Sequence, residues 1–330
     1  MKIKAAGKVG GAERLLASIL GSGAWLVAAL VLVLVILSVT GCGRRPRSEV
    51  VVYTSQDHVY AEPILLEFTR KTSIRVATVY DSEAVKTVGL ANRLLAEKNR
   101  PQCDLFWNNE EFRTRQLAAQ GVFRETNGWQ AFGCRHRCLV VNVDRLRSNT
   151  APNSLIELTN SNWRGKVALA YPLFGTTATH FLALRQRWGE ARWRDWCRAL
   201  QANQPFLVDG NSVVVNLVGH GEAWIGLTDS DDVQAGLREG MPIREVPLTQ
   251  DGLLIPNTVG VVRGAPHPEA AQQLFVYLQS PDVTAKLIQA HALQDTSAEA
   301  PAASRLPVDW VALLRDLEPA TAELKQLFLR

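Results

Sequence analysis

The sequence predicts a two-lobed α/β protein. Strand-like and helix-like segments alternate along it, the alternation starts afresh near residue 166, and 330 residues leave room for about two domains of ~150 residues. The first strand is residues 50–54 (VVVYT), an unbroken apolar run of the kind buried on both faces of a parallel sheet. Residues 59–69 follow, with Ile64, Leu65 and Phe68 on one helical face. A second strand, 74–80 (IRVATVY), leads into a helix in which Val85, Val88, Ala91 and Leu95 recur at helical spacing. Strand three, 103–107 (CDLFW), lies between Pro101 and the polar turn Asn108-Asn109, and another strand is expected over 135–143 (RHRCLVVNV). The second series begins with 166–170 (KVALA), a turn over 171–177 and a long helix holding Phe181, Leu184 and Trp188. Strand 204–208, a helix from about Ser212, strand 223–228 (AWIGLT) and strands 253–257 and 259–262 complete it, so the sheet should be mostly parallel. The chain is then helical to its end. Ala271, Leu274, Phe275 and Leu278 form a core-facing stripe, and Ser280-Pro281 combines a capping serine with a proline preset for the first turn.

Composition narrows the function classes. At 47% hydrophobic and 21% charged residues, disorder and a disulfide miniprotein are excluded. The net charge of +4 comes from the N-terminus: residues 1–41 hold Lys2, Lys4, Lys8 and Arg14 against Glu13, which leaves 32 basic and 31 acidic residues in the rest. A body so nearly neutral lacks the basic footprint of a nucleic-acid binder.

The N-terminus has the parts of an export signal: a basic start, an uncharged stretch over 15–39 and a small-residue exit, Val39-Thr40-Gly41-Cys42. That exit resembles the lipobox of bacterial lipoproteins. The resemblance implies cleavage after residue 41, lipidation of Cys42 and a polar tether over 42–49, with the acyl chains supplying membrane affinity. An uncleaved transmembrane anchor is the alternative, since 25 uncharged residues can span a bilayer. Either way the body lies outside the cytoplasm.

Four cysteines remain: Cys103, Cys134, Cys138 and Cys197. Cys134 and Cys138 flank His136 and suggest a metal, but on a strand they stand about 13 Å apart. That is too far for a mutual disulfide. Two buried thiols are expected.

Catalytic motifs are missing: there is no G-x-S-x-G elbow, H-E-x-x-H, P-loop or dinucleotide fingerprint. Gly219-His220-Gly221-Glu222 reads as a polar turn, and the Arg/Trp-rich helix near 185–198 as a solvated face. Three loops at strand carboxyl ends, where open α/β sheets bind ligands, are more informative. They are Thr54-Ser55-Gln56-Asp57-His58, Asn108-Asn109-Glu110-Glu111 and Gly175-Thr176-Thr177-Ala178, the last able to hold an anion at a helix start. Sharpest is Asp229-Ser230-Asp231-Asp232, whose carboxylates need a cation, a helix N-terminus or water to offset their repulsion. The bland reading is capping of a helix over 232–238.

The stretches VVVYTSQDHVYAEPILLEFTRKTSIRV, PQCDLFWNNEEF, WRGKVALAYPLFGTTATHF, VDGNSVVVNLVGHGEAWIGLTDSDD and LLIPNTVGVVRGAPHPEAAQQLFVYLQSP span most of residues 50–281. Together they resemble the extracellular solute-binding proteins of bacterial ABC importers, in the ferric-ion-binding branch. The resemblance implies a type II periplasmic-binding-protein-like fold with a ligand cleft and crossing hinge strands. It divides the chain into a first lobe, 50–139 with 259–330, and a second, 140–258. It implies ligand contacts from Ser55, Gln56, Asp57, Asn109, Gly175, Thr176, Thr177, Asn211, Ser212, Asp229, Asp231 and Asp232. Ferric binders place a histidine where Asp57 stands, a glutamate at Asn109 beside Glu110, and a tyrosine pair at Asp231-Asp232. A metal set of Asp57, Glu110, Asp231 and Asp232 follows, with iron(III) or another hard cation as cargo and no resident cofactor. Because both phenolates are absent, a zwitterionic or anionic organic solute such as an aminophosphonate is the alternative. The implied partners are an ABC permease with its ATPase, and the membrane through the lipid anchor; a monomer is expected. An exported enzyme is the third class, distinguished by turnover of substrate.

Overall fold

A computed structural model describes residues 48–81, 88–146, 151–295 and 306–329. The expected signal and Cys42, and the first turn expected around Val85, lie outside the described residues. Among these residues no helix is long and apolar enough to cross a membrane.

The chain opens with β1 (Glu49–Thr54), α1 (His58–Thr72), β2 (Arg75–Tyr80), α2 (Val88–Ala96), β3 (Leu105–Asn108) and α3 (Phe112–Ala119). β1 pairs in parallel with β2 and with β3, Val50 opposite Val76 and Val52 opposite Leu105. Its apolar run is used on both sides. Val50 and Val52 face Phe68 and Leu274, while Tyr53 faces Leu94 and Phe106. Alternating side chains of a fully apolar strand thus bury a helix layer on each face.

β4 (Trp129–Asn142) is fourteen residues long and joins the two halves of the sheet. Its first part runs antiparallel to β9 (Leu254–Val261), from Trp129 opposite Gly260 to His136 opposite Leu254. From Arg137 onward it pairs instead with β7 (Ile225–Asp229) and β8 (Ile243–Pro247), both antiparallel. The register shifts at Gly133, whose φ of +55° a side chain rarely adopts and whose added Cβ would lie 2.5 Å from Leu293 Cδ1. β5 (Val167–Ala170) and β6 (Phe206–Val208) extend the far side in parallel with β7. The full order is β2-β1-β3-β9-β4-β7-β5-β6, with β8 paired to β4. The expectation of a mostly parallel sheet is therefore corrected. Parallel sets at each side are joined by antiparallel strands in the middle.

The remaining helices are α4 (Gly175–Trp188), α5 (Glu190–Ala202), α6 (Asn211–Gly219), α7 (Ser230–Arg238), α8 (Pro268–Leu278), α9 (Pro281–Gln289), α10 (Trp310–Arg315) and α11 (Leu317–Phe328). Ser280 caps α9 as expected, its Oγ accepting from Val283 N at 3.3 Å. α8 and α9 bury Leu274, Leu278 and Leu287 against β1 and β3. The chain end does not join them. Leu313, Leu317, Leu324 and Phe328 pack with Phe181 and Trp196 of α4 and α5, while Trp310 stacks on Phe112 of α3, so residues 306–329 touch helices of both halves.

Candidate ligand-binding cleft

Four helices start where strands end: α1 after β1, α4 after β5, α6 after β6 and α7 after β7. Their N-cap positions are Asp57, Phe174, Gly210 and Asp229, and no side chain caps any of the four. First-turn N–H groups have no partner within their helix, so these starts offer donors and a positive dipole end to whatever lies before them. What lies before them is one cleft of about 200 Å³.

Of the residues expected at the ligand, Asp57, Asn109, Gly175, Thr176 and Thr177 line this cleft, as do Asn211, Ser212, Asp229, Asp231 and Asp232. Ser55 and Gln56 do not. Both are 2% exposed, and Ser55 works from beneath: its Oγ bonds Asn108 and Asn109 Oδ1 and accepts from Asn109 N at 3.0 Å. Glu110, expected as a metal ligand, also lies off the cleft. Its carboxylate accepts from Phe112 N at 2.6 Å and Arg113 N at 2.9 Å, which occupies it at the start of α3. Burial raises its pKa against those donors.

Two arginines that sequence reasoning passed over decide the electrostatics. Arg135 and Arg137 are 2% and 0% exposed at the point where β4 changes partners. Arg137 Nη1 lies 2.6 Å from Asp229 Oδ1 and also donates to Asn211 Oδ1 at 3.0 Å. Arg135 Nη2 lies 3.2 Å from Asp229 Oδ2, its Nε 3.0 Å from Asp231 Oδ1, and its Nη1 donates to Asn109 O at 2.7 Å. Thr176 Oγ1 adds a hydrogen bond to Asp229 Oδ2 at 2.8 Å, so this hydroxyl serves the protein rather than a ligand. Asn211 Nδ2 donates to Asp229 Oδ2 at 3.3 Å.

Burial alone would push the Asp229 carboxyl up. The Arg137 and Arg135 guanidinium groups outweigh it and hold the carboxyl below its ordinary value. Burial likewise opposes the charge on Arg135, and Asp231 and Asp229 more than restore it. Two carboxylates and two guanidinium groups thus cancel within the wall. The carboxylates of Asp57, Asp209 and Asp232 also line the cleft, beside the backbone donors of α4 and α6. Ligand oxygens of Asp229, Asp231 and Asp232 also fall within 4.8 Å of one another, close enough to share an ion. Tyr60 completes one side, its hydroxyl accepting from Arg238 Nη2 at 3.3 Å. The signal for the arginines was present in RHRCLVVN: a charged residue inside an apolar strand has to be paired.

Comparison with known proteins agrees with this architecture. Iron-bound HitA from Pseudomonas aeruginosa superposes with a TM-score of 0.74 at 20% identity, covering 85% of this chain and 99% of that one. AfuA from Actinobacillus pleuropneumoniae, with exogenous fructose-6-phosphate bound, gives 0.70 at 19% identity over 86% and 97%. The ferric binding protein from Campylobacter jejuni gives 0.71 at 14% identity over 84% and 99%. These likenesses show a periplasmic-binding-protein-like fold of two lobes. No curated protein sequence matches the chain significantly. Residues 49–291 match the family described as bacterial extracellular solute-binding protein, and the chain belongs to that family.

Proposed function

We propose that the protein is the solute receptor of an ABC importer and that its cleft takes a small organic zwitterion, with an anionic group and an amine, of which an aminophosphonate is an example. The observation that supports this most is the internal neutralisation of Asp229 and Asp231 by Arg135 and Arg137. A bare ferric ion would need those oxygens for itself and would sit beside two fixed positive charges. A zwitterion instead suits a mixed lining, with backbone donors at the starts of α4 and α6 for its anion and carboxylates on the same walls for its amine. The cleft is also large for a single ion, since one water needs only roughly 10–15 Å³ of the same kind of space. Delivery to a permease and its ATPase, and retention at the membrane through Cys42, complete the reading.

Iron(III) as cargo is the second reading. It draws on the three clustered carboxylates and on the iron bound by HitA, while AfuA, of the same fold, has fructose-6-phosphate bound.

The test is native mass spectrometry of the full-length protein purified in detergent without chelator, followed by calorimetry with 2-aminoethylphosphonate and ferric citrate. The expected result is aminophosphonate binding that weakens about 100-fold in Asp231→Asn/Asp232→Asn, near the ~3 kcal/mol that loss of a buried charge partner costs. One retained iron per chain, with ferric but no aminophosphonate binding, would give the cleft to the metal.

A further inference from the structure

The reverse face of β4 holds different chemistry. Arg135 and Arg137 turn toward the cleft, so the alternation of a strand turns His136 and Cys138 to the other side. Glu245, opposite Val140 on β8, comes to that same side. His136 Nε2 lies 2.8 Å from Glu245 Oε1, and the ligand atoms of His136, Cys138 and Glu245 all fall within 4.8 Å of one another. The sequence pattern had paired His136 with the two flanking cysteines. The fold exchanges Cys134 for a carboxylate on the neighbouring strand.

A histidine–carboxylate pair beside an unrelated buried thiol is the plain alternative, since Cys138 belongs to the same apolar cluster as Val140, Val214 and Ile243. Three features favour a binding site. Imidazole, thiolate and carboxylate together are the donor set of zinc. Thiolate plus carboxylate balances a divalent ion, so the filled site is neutral where it is buried. Access is graded as well: the His136 and Glu245 side chains are 34% and 19% exposed, while Cys138 is fully buried behind them.

We propose that His136, Cys138 and Glu245 form a second site, separate from the cleft, for a divalent transition ion of the zinc type that ties the edge strand β8 to β4. Binding forms bonds from the ion to Nε2, Sγ and one carboxylate oxygen and leaves a water in the fourth position. It breaks the His136–Glu245 hydrogen bond, shifts the imidazole proton from Nε2 to Nδ1 and releases the Cys138 thiol proton to solvent. No redox change is involved. Opposite ligand atoms of a tetrahedral zinc stand roughly 3.3–3.6 Å apart by its bond lengths, so small side-chain rotations close the set.

The test is a Co²⁺ titration of the full-length protein in detergent, made in the Asp231→Asn/Asp232→Asn background so that cleft carboxylates do not compete. A near-ultraviolet thiolate-to-cobalt band should saturate at one equivalent, be displaced by Zn²⁺, and vanish in Cys138→Ser. His136→Gln and Glu245→Gln, which keep a hydrogen-bonding side chain at each position, should weaken Zn²⁺ by more than the roughly tenfold that even an outer partner of a metal site costs. Absence of the band in protein with a native circular dichroism spectrum overturns the proposal. So does a band with the same affinity in both glutamine variants, because the thiolate would then belong to another site.

Discussion

At the scale of single residues, Arg137 sets the charge balance of the cleft wall. It is fully buried and closest of the cations to Asp229. Arg137→Met should cost about 3–5 kcal/mol in urea unfolding, because Asp229 keeps only Arg135 as counter-charge. Adding Asp229→Asn should return part of that loss, which a purely steric role for Arg137 would not allow. The same guanidinium acts on His180, whose ring is held between Arg137 Nε at 3.5 Å and the Asp251 carbonyl at 2.6 Å. Burial, with Arg137 beside it, lowers the His180 pKa to about 3. The unfolded chain takes up that proton near pH 6.5. Stability present above pH 6.5 should therefore fall as the pH drops toward 3, and His180→Gln should flatten the slope of unfolding free energy against pH across that window. The aspartates of this network were legible in the sequence because three carboxylates in four residues announce themselves. Their partners were not, since Arg135 and Arg137 sit nearly a hundred positions away and only the β4–β7 register brings them opposite. For Glu110 the reverse holds: its loop neighbours suggest a ligand, while in the structure its carboxylate accepts from backbone N–H groups at the start of α3.

Elements tell a similar story. Strands with unbroken apolar runs, β1, β3, β5 and β7, were found within a few residues because burial on both faces leaves a plain signature. β4 was read only from residue 135, since Gly133 and its register shift interrupt the pattern that begins at Trp129. β8 (IREVP) gives no strand signal in the sequence: it is a short edge strand with two adjacent charges at its centre and a proline at its end. The strand β9 was divided in two at Thr258, although it is continuous from Leu254 to Val261. The position of β7 depends on close packing against α6. A Cβ at Gly226 would lie 2.4 Å from Val214 Cγ1 and 2.8 Å from Val140 Cγ1. Gly226→Ala should thus destabilise by about 1–3 kcal/mol in thermal unfolding, as overpacked cores do. Because β7 ends at Asp229, it should also weaken solute binding, and Val214→Ala in the same chain should recover part of both.

For the molecule as a whole, β4 and β9 link the two halves of the sheet, and the cleft lies at the ends of strands from both halves. Closure around a solute is the expected response of such an arrangement. Small-angle scattering should show a smaller radius of gyration with saturating solute than without, and an unchanged radius would mark a rigid module. The alternation that revealed two lobes could not reveal where the last helices go. An apolar stripe does not name its partner, and the structure packs Leu324 and Phe328 with Phe181 and Trp196 while laying Trp310 on Phe112. The long crossing strand also governs the order in which the protein can be assembled. The place between β3 and β4 is filled by residues 254–261, after all of β5 to β8 has been made. A chain appearing N-terminus first must leave the inner edges of β3 and β4 open until then. Such distant pairing slows folding, and open edges invite association with other chains. The growing polypeptide therefore has reason to be held apart from its fellows until β9 closes the gap.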